Sequence, residues 1–386
     1  MEPFFTIIFW GCFGILLYVY VGYLILLVIL ACVRPVRHEA DDVYTPSISL
    51  LFSAHNEIES LPAKLQSVRE LDYPRERLQI LVASDASTDG SAEYLAAQSD
   101  IIFVDLKEQA GKNVALNRLL PLATGDLLFF TDANTILHPG SARAAARHFA
   151  DPRVGVVVGE LVYALGNEWS AVGQGAGLYW RYENIIKRLE SRLGNLLVGG
   201  GALLIARREI VETLDPRIAN DLEIPARAGA QGYDVLYEPA CLGSEKAHTE
   251  AGEEWKRTSR IVARGLWGFA MLGPVMVQTP LRFWQFLSHK FLRWFTLPFS
   301  LLMLAAAWPL QDHWFPWLMT RAGIVIFLAA LIGIALIPLA PVSRWTRPFT
   351  LMGHLLIMHA AALWGVILAL RGRTPATWTV PQSTRS

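Results

Sequence analysis

From Phe4 to Val33 the chain runs about thirty residues without a charged side chain. That exceeds the roughly 20 apolar residues needed to cross a bilayer. No basic segment precedes the run and no small-residue cleavage pattern follows it, so it reads as a retained anchor. Arg34 and Arg37 follow, which predicts a cytoplasmic C-terminal flank. Three further apolar blocks, Phe291–Leu310, Ala322–Leu339 and Thr350–Leu370, crowd the other end. His354 and His359 in the last of these read as packing or lipid-interface residues. The expected organisation is an N-terminal transmembrane helix at 4–33 and a cytoplasmic domain at 41–265. An interfacial segment follows at 266–290, then about three transmembrane helices within 291–370 and a tail at 371–386. Gly273 and Pro274 mark 266–290 as too broken to span. Four spans put the tail opposite residue 34, although it holds Arg371, Arg373 and Arg385.

Composition agrees with a membrane protein. Of 386 residues, 53% are hydrophobic and 18% charged, with a mean hydropathy of +0.33. The formal net charge is zero, so bulk charge points to no nucleic acid. Cys12, Cys32 and Cys241 are an odd set without metal-ligand spacing.

Within 41–265 short apolar runs alternate with helical patterns. Ser47–Ser53, Gln79–Ala83, Ile101–Val104 and Asp126–Phe130 read as strands. Ile58–Leu71, Ser91–Ala97 and Ala115–Leu122 read as helices. This predicts an α/β domain with a mainly parallel central sheet covered on both faces. Ligands of such sheets sit beyond the carboxyl ends of the strands. There the sequence places AHNE (Ala54, His55, Asn56, Glu57), SDASTDGS from Ser84, and TDAN (Thr131–Asn134). One strand-end aspartate is an ordinary cap or turn former. Three polar clusters on one edge suggest a site.

Taken in order, these segments resemble the family 2 glycosyltransferases of GT-A fold. The nearest likeness is to membrane-integrated members related to bacterial polysaccharide synthases such as hyaluronan, chitin-oligosaccharide and poly-N-acetylglucosamine synthases. The resemblance covers residues 47–265 and implies a nucleotide-diphosphate sugar donor, usually a UDP-sugar. By that likeness Ala54, His55, Asn56 and Glu57 form the loop against base and ribose, with His55 replacing a tyrosine. Asp85 matches the acid near the uridine, and Lys112 a polar position near the nucleotide. Asp89 is left to helix capping. Asp132 and Asn134 match D-x-D, whose oxygens hold a divalent metal, Mg²⁺ or Mn²⁺, on the diphosphate. Asn134 can ligate but brings no charge.

Asp221 matches the general base, which takes a proton from an acceptor hydroxyl too weakly acidic to attack unaided. Glu223 reads as a first-turn acid favouring the helix dipole. Gly199, Gly200 and Gly201 resemble the segment approaching the acceptor, and also suit a tight turn into a strand. The helix containing Tyr179, Trp180, Glu183, Lys187 and Glu190 reads as amphipathic, its charges forming a solvated face. RTSRI stands where processive relatives carry Q-x-x-R-W. Arg257 and Arg260 are there to meet the diphosphate or acceptor, but Ile261 replaces the tryptophan and leaves Trp267 as the nearest substitute.

The resemblance implies a metal-dependent inverting transferase in the bacterial inner membrane. It would build an envelope or exopolysaccharide, with an export partner or homo-oligomer to complete a polymer channel. Transfer of one sugar to a membrane lipid is the alternative that the eroded motif keeps open. A non-catalytic nucleotide-binding membrane protein is the reading from outside the enzymes.

Overall fold

A computed structural model describes residues 1–164, 171–246, 251–277, 279–337 and 345–373. The tail beyond residue 373, with Arg385, lies outside the described residues, as do the side chains of Tyr179 and Trp180.

The first helical rod joins α1 (Glu2–Leu17) and α2 (Tyr23–Val33) through a π-helical turn at Tyr18–Gly22. The sheet domain follows. It comprises β1 (Ile48–Ala54), α3 (Leu61–Arg69), β2 (Leu78–Asp85), α4 (Ser91–Ala96), β3 (Ile102–Leu106), α5 (Lys112–Leu119), β4 (Leu127–Thr131), β5 (Ile136–Leu137), α6 (Ser141–Ala146), β6 (Val154–Ala164), α7 (Ala171–Arg192), β7 (Leu203–Arg207), α8 (Asn220–Ala230) and β8 (Asp234–Lys246). Among the described residues these make one eight-stranded sheet in the order β3-β2-β1-β4-β7-β6-β8-β5. β1 is parallel to both β2 and β4, and β2 to β3, while β7 runs antiparallel between β4 and β6. The expected mainly parallel sheet is therefore a mixed one.

Every residue of β1 is buried. Because side chains alternate across a strand, Leu50 and Phe52 enter one core with Leu65, Val82 and Phe129, while Leu51 enters the other with Ala83, Leu128 and Phe130. Helices on both faces leave only the strand ends for polar chemistry.

Beyond the sheet come α9 (Ala251–Val277), α10 (Pro280–Gln285), a π-helical turn (Phe286–Phe291), α11 (Leu292–Trp294), α12 (Thr296–Ala307), α13 (Trp314–Leu336) and α14 (Arg347–Leu370). Among the described residues four helices are long and apolar enough to cross a membrane, Glu2–Val33, Gly252–Val277, Trp314–Leu336 and Arg347–Leu370, or five if the bent pair Pro280–Trp294 and Thr296–Leu310 is one span.

Three expectations change here. The boundary at 265/266 falls inside α9, which continues through Gly273 and Pro274 instead of breaking there. The block Phe291–Leu310 is not one straight span, because the chain bends by 64° between Trp294 and Thr296. Pro298 explains the bend: it has no N–H for the Trp294 carbonyl, and its ring would clash there. The span expected from Ala322 starts at Trp314, with Arg321 held over the Trp317 ring at 4.1 Å. α9 packs closely on α14, where a Cβ on Gly365 would stand 2.6 Å from the Ser259 carbonyl oxygen. His359 on α14 bonds the Tyr20 hydroxyl at 2.9 Å, a packing role as expected.

The charges of α7 divide: Arg181 and Arg188 are exposed as a solvated face requires, while Glu183 and Glu190 are buried and tie the sheet domain to the apolar helices. Glu183 meets His289 (3.2 Å), Lys290 (3.1 Å) and Arg293. Glu190 accepts from the Tyr23 hydroxyl at 2.6 Å and contacts His289 at 3.0 Å. Burial alone would raise the Glu183 carboxyl, but Lys290, Arg293 and His289 hold it well below the usual carboxylate range. Removing one member of such a cluster strands the others. Glu183→Ala should lose about 3 kcal/mol of stability, read as a lower thermal unfolding midpoint of the detergent-solubilised protein. An unchanged midpoint would mean that the cluster does not hold the two parts together.

Candidate active site at the carboxyl edge of the sheet

The ends of β1, β2 and β4 lie side by side, because β1 pairs with both neighbours. His55 and Asn56 leave β1, Asp85 ends β2 and Asp132 follows β4. His55 Nδ1 lies 2.6 Å from the Asp85 carbonyl oxygen. Asn56 adopts φ +56°, and its side-chain oxygen accepts from the Thr88 N–H at 2.8 Å. Glu57 is buried, with its N–H on the Ser91 hydroxyl at 3.0 Å. The β1 and β2 loops are thus knitted into one wall. Asp89 caps as expected, accepting from the Ser91 N–H (3.0 Å) and the Ile58 N–H (3.1 Å).

Asp85 is fully buried, and its two oxygens accept from the Ala110 and Gly111 N–H groups at 2.7 and 2.9 Å. A strand-end carboxylate facing two amides of the next loop is satisfied by them. Asp85 therefore shapes the turn that starts α5. The first residue of α5 is Lys112, whose ammonium contacts an Asp132 oxygen and reaches the Gly201 carbonyl at 3.3 Å. Lys112 thereby links the β4 edge to the glycine segment.

That segment faces the start of α8. The Gly199 N–H donates to the Asp221 carbonyl at 2.9 Å. A Cβ on Gly201 would lie 3.4 Å from Asn220 Oδ1, 3.5 Å from Lys112 Nζ and 3.9 Å from the Asp221 Cβ. A side chain there would fill the space between the lysine and the aspartate. Among the described residues Gly200 has nothing within 4 Å of an added Cβ.

The loop before Asp221 is tied down from three sides. Asn117 of α5 exchanges two bonds with the Leu214 backbone, at 2.8 and 2.9 Å. Asn113 donates to the Asp215 and Ile218 carbonyls at 2.7 and 2.9 Å. Arg264 of α9 donates to Ile218 at 2.7 Å. Glu223 is a first-turn acid of α8 as expected, and it is fully buried, accepting from the Asp215 N–H (3.0 Å) and pairing with Arg227 (2.7 Å). Within this frame the Asp221 carboxylate makes no hydrogen bond among the described residues. Burial raises its pKa, with Lys112 and Arg264 pulling the other way. A carboxylate that is positioned, unpaired and shifted toward neutrality suits proton abstraction.

Asp132 and Asn134 are half-buried, and Asn134 makes no hydrogen bond among the described residues. Their oxygens are of the hard type that suits Mg²⁺ or Mn²⁺. Glu245, on β8, lies in electrostatic range of Asp132, and burial followed by Asp132 raises its pKa. Among the described residues no group of three or more His, Cys, Asp or Glu side chains is gathered here, so Asp132 with the Asn134 amide oxygen and the neighbouring Glu245 are the groups that would meet a divalent cation.

Arg257 and Arg260 lie on α9. Arg257 meets Glu254 at 3.5 Å. Arg260 makes no hydrogen bond or ion pair among the described residues and lies within electrostatic range of Asp132. Ile261 is 53% exposed. Trp267 packs beside Ile218 and Leu222, and its indole N–H is buried without a partner among the described residues.

Sequence reasoning missed three groups. Arg264 continues the 257, 260 spacing by one helical turn, a legible signal. Glu245 carried none, because only sheet pairing brings β8 beside the β4 turn. Lys64 sits in α3 yet is fully buried, donating to Thr131 Oγ1 (2.8 Å) and the Thr135 carbonyl (2.7 Å). Burial lowers its pKa to about 7, opposed by Asp132 and Glu245.

Comparison with known proteins bears on this edge. Over 222 residues the chain is 28% identical to the poly-beta-1,6-N-acetyl-D-glucosamine synthase of Staphylococcus aureus (strain COL), covering 55% of this chain and 53% of that protein. The Staphylococcus epidermidis synthase of the same name is 26% identical with the same coverage. The chain thus spans about half the length of the curated relatives it matches. Among solved structures, the mannosyltransferase PcManGT from Pyrobaculum calidifontis, determined with GDP-Man and Mn²⁺, superposes with a TM-score of 0.69. It is 21% identical and covers 96% of this chain and 99% of that one. This likeness establishes the GT-A fold with flanking apolar helices. The family described as glycosyl transferase family 2 matches residues 49–215, and the chain therefore carries a glycosyl transferase family 2 domain.

Proposed function

We propose that the protein is a membrane-bound inverting glycosyltransferase that moves a sugar from a nucleotide-diphosphate sugar to the hydroxyl of a growing polysaccharide. One observation carries the reading: Lys112, Asp132 and the unpaired Asp221 converge around Gly201, at the sheet edge where the nucleotide loops end. His55, Asn56 and the loop that Asp85 ties would receive the base and ribose. Lys112, with Arg257 and Arg260, would meet the diphosphate. A divalent cation held by Asp132 and Asn134 would supply charge neutralisation to the departing nucleoside diphosphate. Asp221 takes the acceptor proton as that oxygen attacks the anomeric carbon, and one displacement inverts the centre. The apolar helices support a membrane location for this chemistry, which we assign as a bacterial inner membrane with the sheet domain cytoplasmic.

A second reading is transfer of a single sugar to a membrane lipid. The exposed Ile261 favours it, since nothing at that position could stack on a polymer. GDP-Man in the structure of PcManGT makes a GDP-sugar a candidate donor as well.

The lipid-reconstituted protein should release nucleoside diphosphate from a panel of UDP- and GDP-sugars in a sugar-selective way. Release should require Mg²⁺ or Mn²⁺ and be lost in Asp132→Ala. Product size separates polymer from glycolipid. No turnover with any donor, in the presence of native membrane lipids, would sink the transferase reading.

Asp221→Asn should lower kcat roughly 10²- to 10⁴-fold while leaving donor binding within a few-fold. The base works only when ionised, so transfer should fall as pH falls through the raised Asp221 pKa. The acid limb should therefore lie above the ordinary aspartate value of about 3.9 and vanish in Asp221→Asn. A limb at or below that value would exclude Asp221 as the base.

A further inference from the structure

α3 reads LPAKLQSVR, and Leu61, Lys64, Leu65 and Val68 share the i, i+3, i+4, i+7 face turned to the core. All four are buried, and Lys64 is 0% exposed. A methionine would fill that place without the burden of burying an ammonium. What the ammonium does instead is visible in its contacts. Nζ donates to Thr131 Oγ1 at 2.8 Å and to the Thr135 carbonyl at 2.7 Å, and it lies 5.6 Å from the Phe52 ring centroid.

Its two acceptors flank the turn that carries Asp132 and Asn134. Thr131, Ala133 and Thr135 are at most 2% exposed, and the residues between them are the half-buried Asp132 and Asn134. Asp132 and Asn134 thus alternate in burial with Thr131, Ala133 and Thr135, within a turn that the Thr135 N–H closes on the Asp132 carbonyl at 3.3 Å. Lys64 bonds this turn at both ends. Thr135 extends the arrangement, its hydroxyl donating to Glu245 Oε1 at 2.5 Å. One buried cation thus fixes the turn from below and, through Thr135, meets the acid that β8 brings to its flank.

We infer that Lys64 is a positioning residue for a divalent cation: by bonding Thr131 and Thr135 it holds Asp132 and Asn134 in the spacing that binds the metal. The inference rests on the metal-dependent reading of this turn. Lys64 touches neither donor nor acceptor, so its loss should appear first in metal affinity.

The test is Mn²⁺ binding by the full-length protein in nanodiscs, followed by loss of the free-Mn²⁺ EPR signal, with UDP and in parallel with GDP. Thermal unfolding monitors the fold. Lys64→Met should weaken Mn²⁺ binding roughly tenfold or more, the usual consequence of removing a group that orients metal ligands. Thr131→Val, which deletes one acceptor and keeps the shape, should weaken it in the same direction by less. Asp132→Ala should abolish it. If Asp132→Ala binds Mn²⁺ like the wild type, the turn is no metal site and the inference falls with that reading. If Asp132→Ala loses binding while folded Lys64→Met stays within about twofold of wild type, the Lys64 inference alone is overturned. Should Lys64→Met not fold, Thr131→Val decides: binding equal to wild type rejects the inference.

Discussion

β1 is buried along its whole length and on both faces, and the site follows from that constraint. A strand with a core on either side has no room for a charged side chain, so charged residues must gather where the strand stops. β1 pairs in parallel with β2 and β4, so three such stops fall on one edge. His55, Asp85 and Asp132 are neighbours for that reason, although they come from separate stretches of sequence.

The chemistry also needs a second element set against this edge. α8 brings Asp221 there, and its approach is fixed by side chains bonding backbone. Asn113 and Asn117 of α5 hold Leu214, Asp215 and Ile218, and Arg264 reaches Ile218 from α9. Lys112 and the asparagines belong to the same short helix, so the nucleotide side and the base side of the cleft are registered through α5. α9 extends the frame outward. Its arginines face the site at one end, while its apolar length packs on α14 at Gly365. Together with the Glu183–His289–Arg293 cluster, it couples the sheet domain to the apolar helices.

The regular parts of this arrangement were legible in the sequence. Runs such as SISLLFS and QILVA are short, apolar and bounded by polar residues, and their observed strands shift by only a residue or two. The strand-end clusters were equally plain. Less visible were charged residues that the fold buries. Glu183, Glu190 and Glu223 look like surface charges of amphipathic helices, because a sequence pattern does not reveal that a polar partner arrives from about a hundred residues away or from the next turn. Lys64 is an exception, since its position on an apolar helical face could have been noticed.

By itself the sequence determined the α/β alternation, the apolar helices at either end and the acids at the strand ends. These depend on local periodicity and on hydropathy, which neighbouring residues set among themselves. Tertiary structure alone decided that Asp85 bonds the turn before α5, that Pro298 bends the chain by 64° while Pro274 leaves α9 intact, and that Glu245 and Lys64 flank Asp132. Each of those outcomes depends on which backbone or side-chain partner is within hydrogen-bonding reach, and that distance exists only once the sheet has paired.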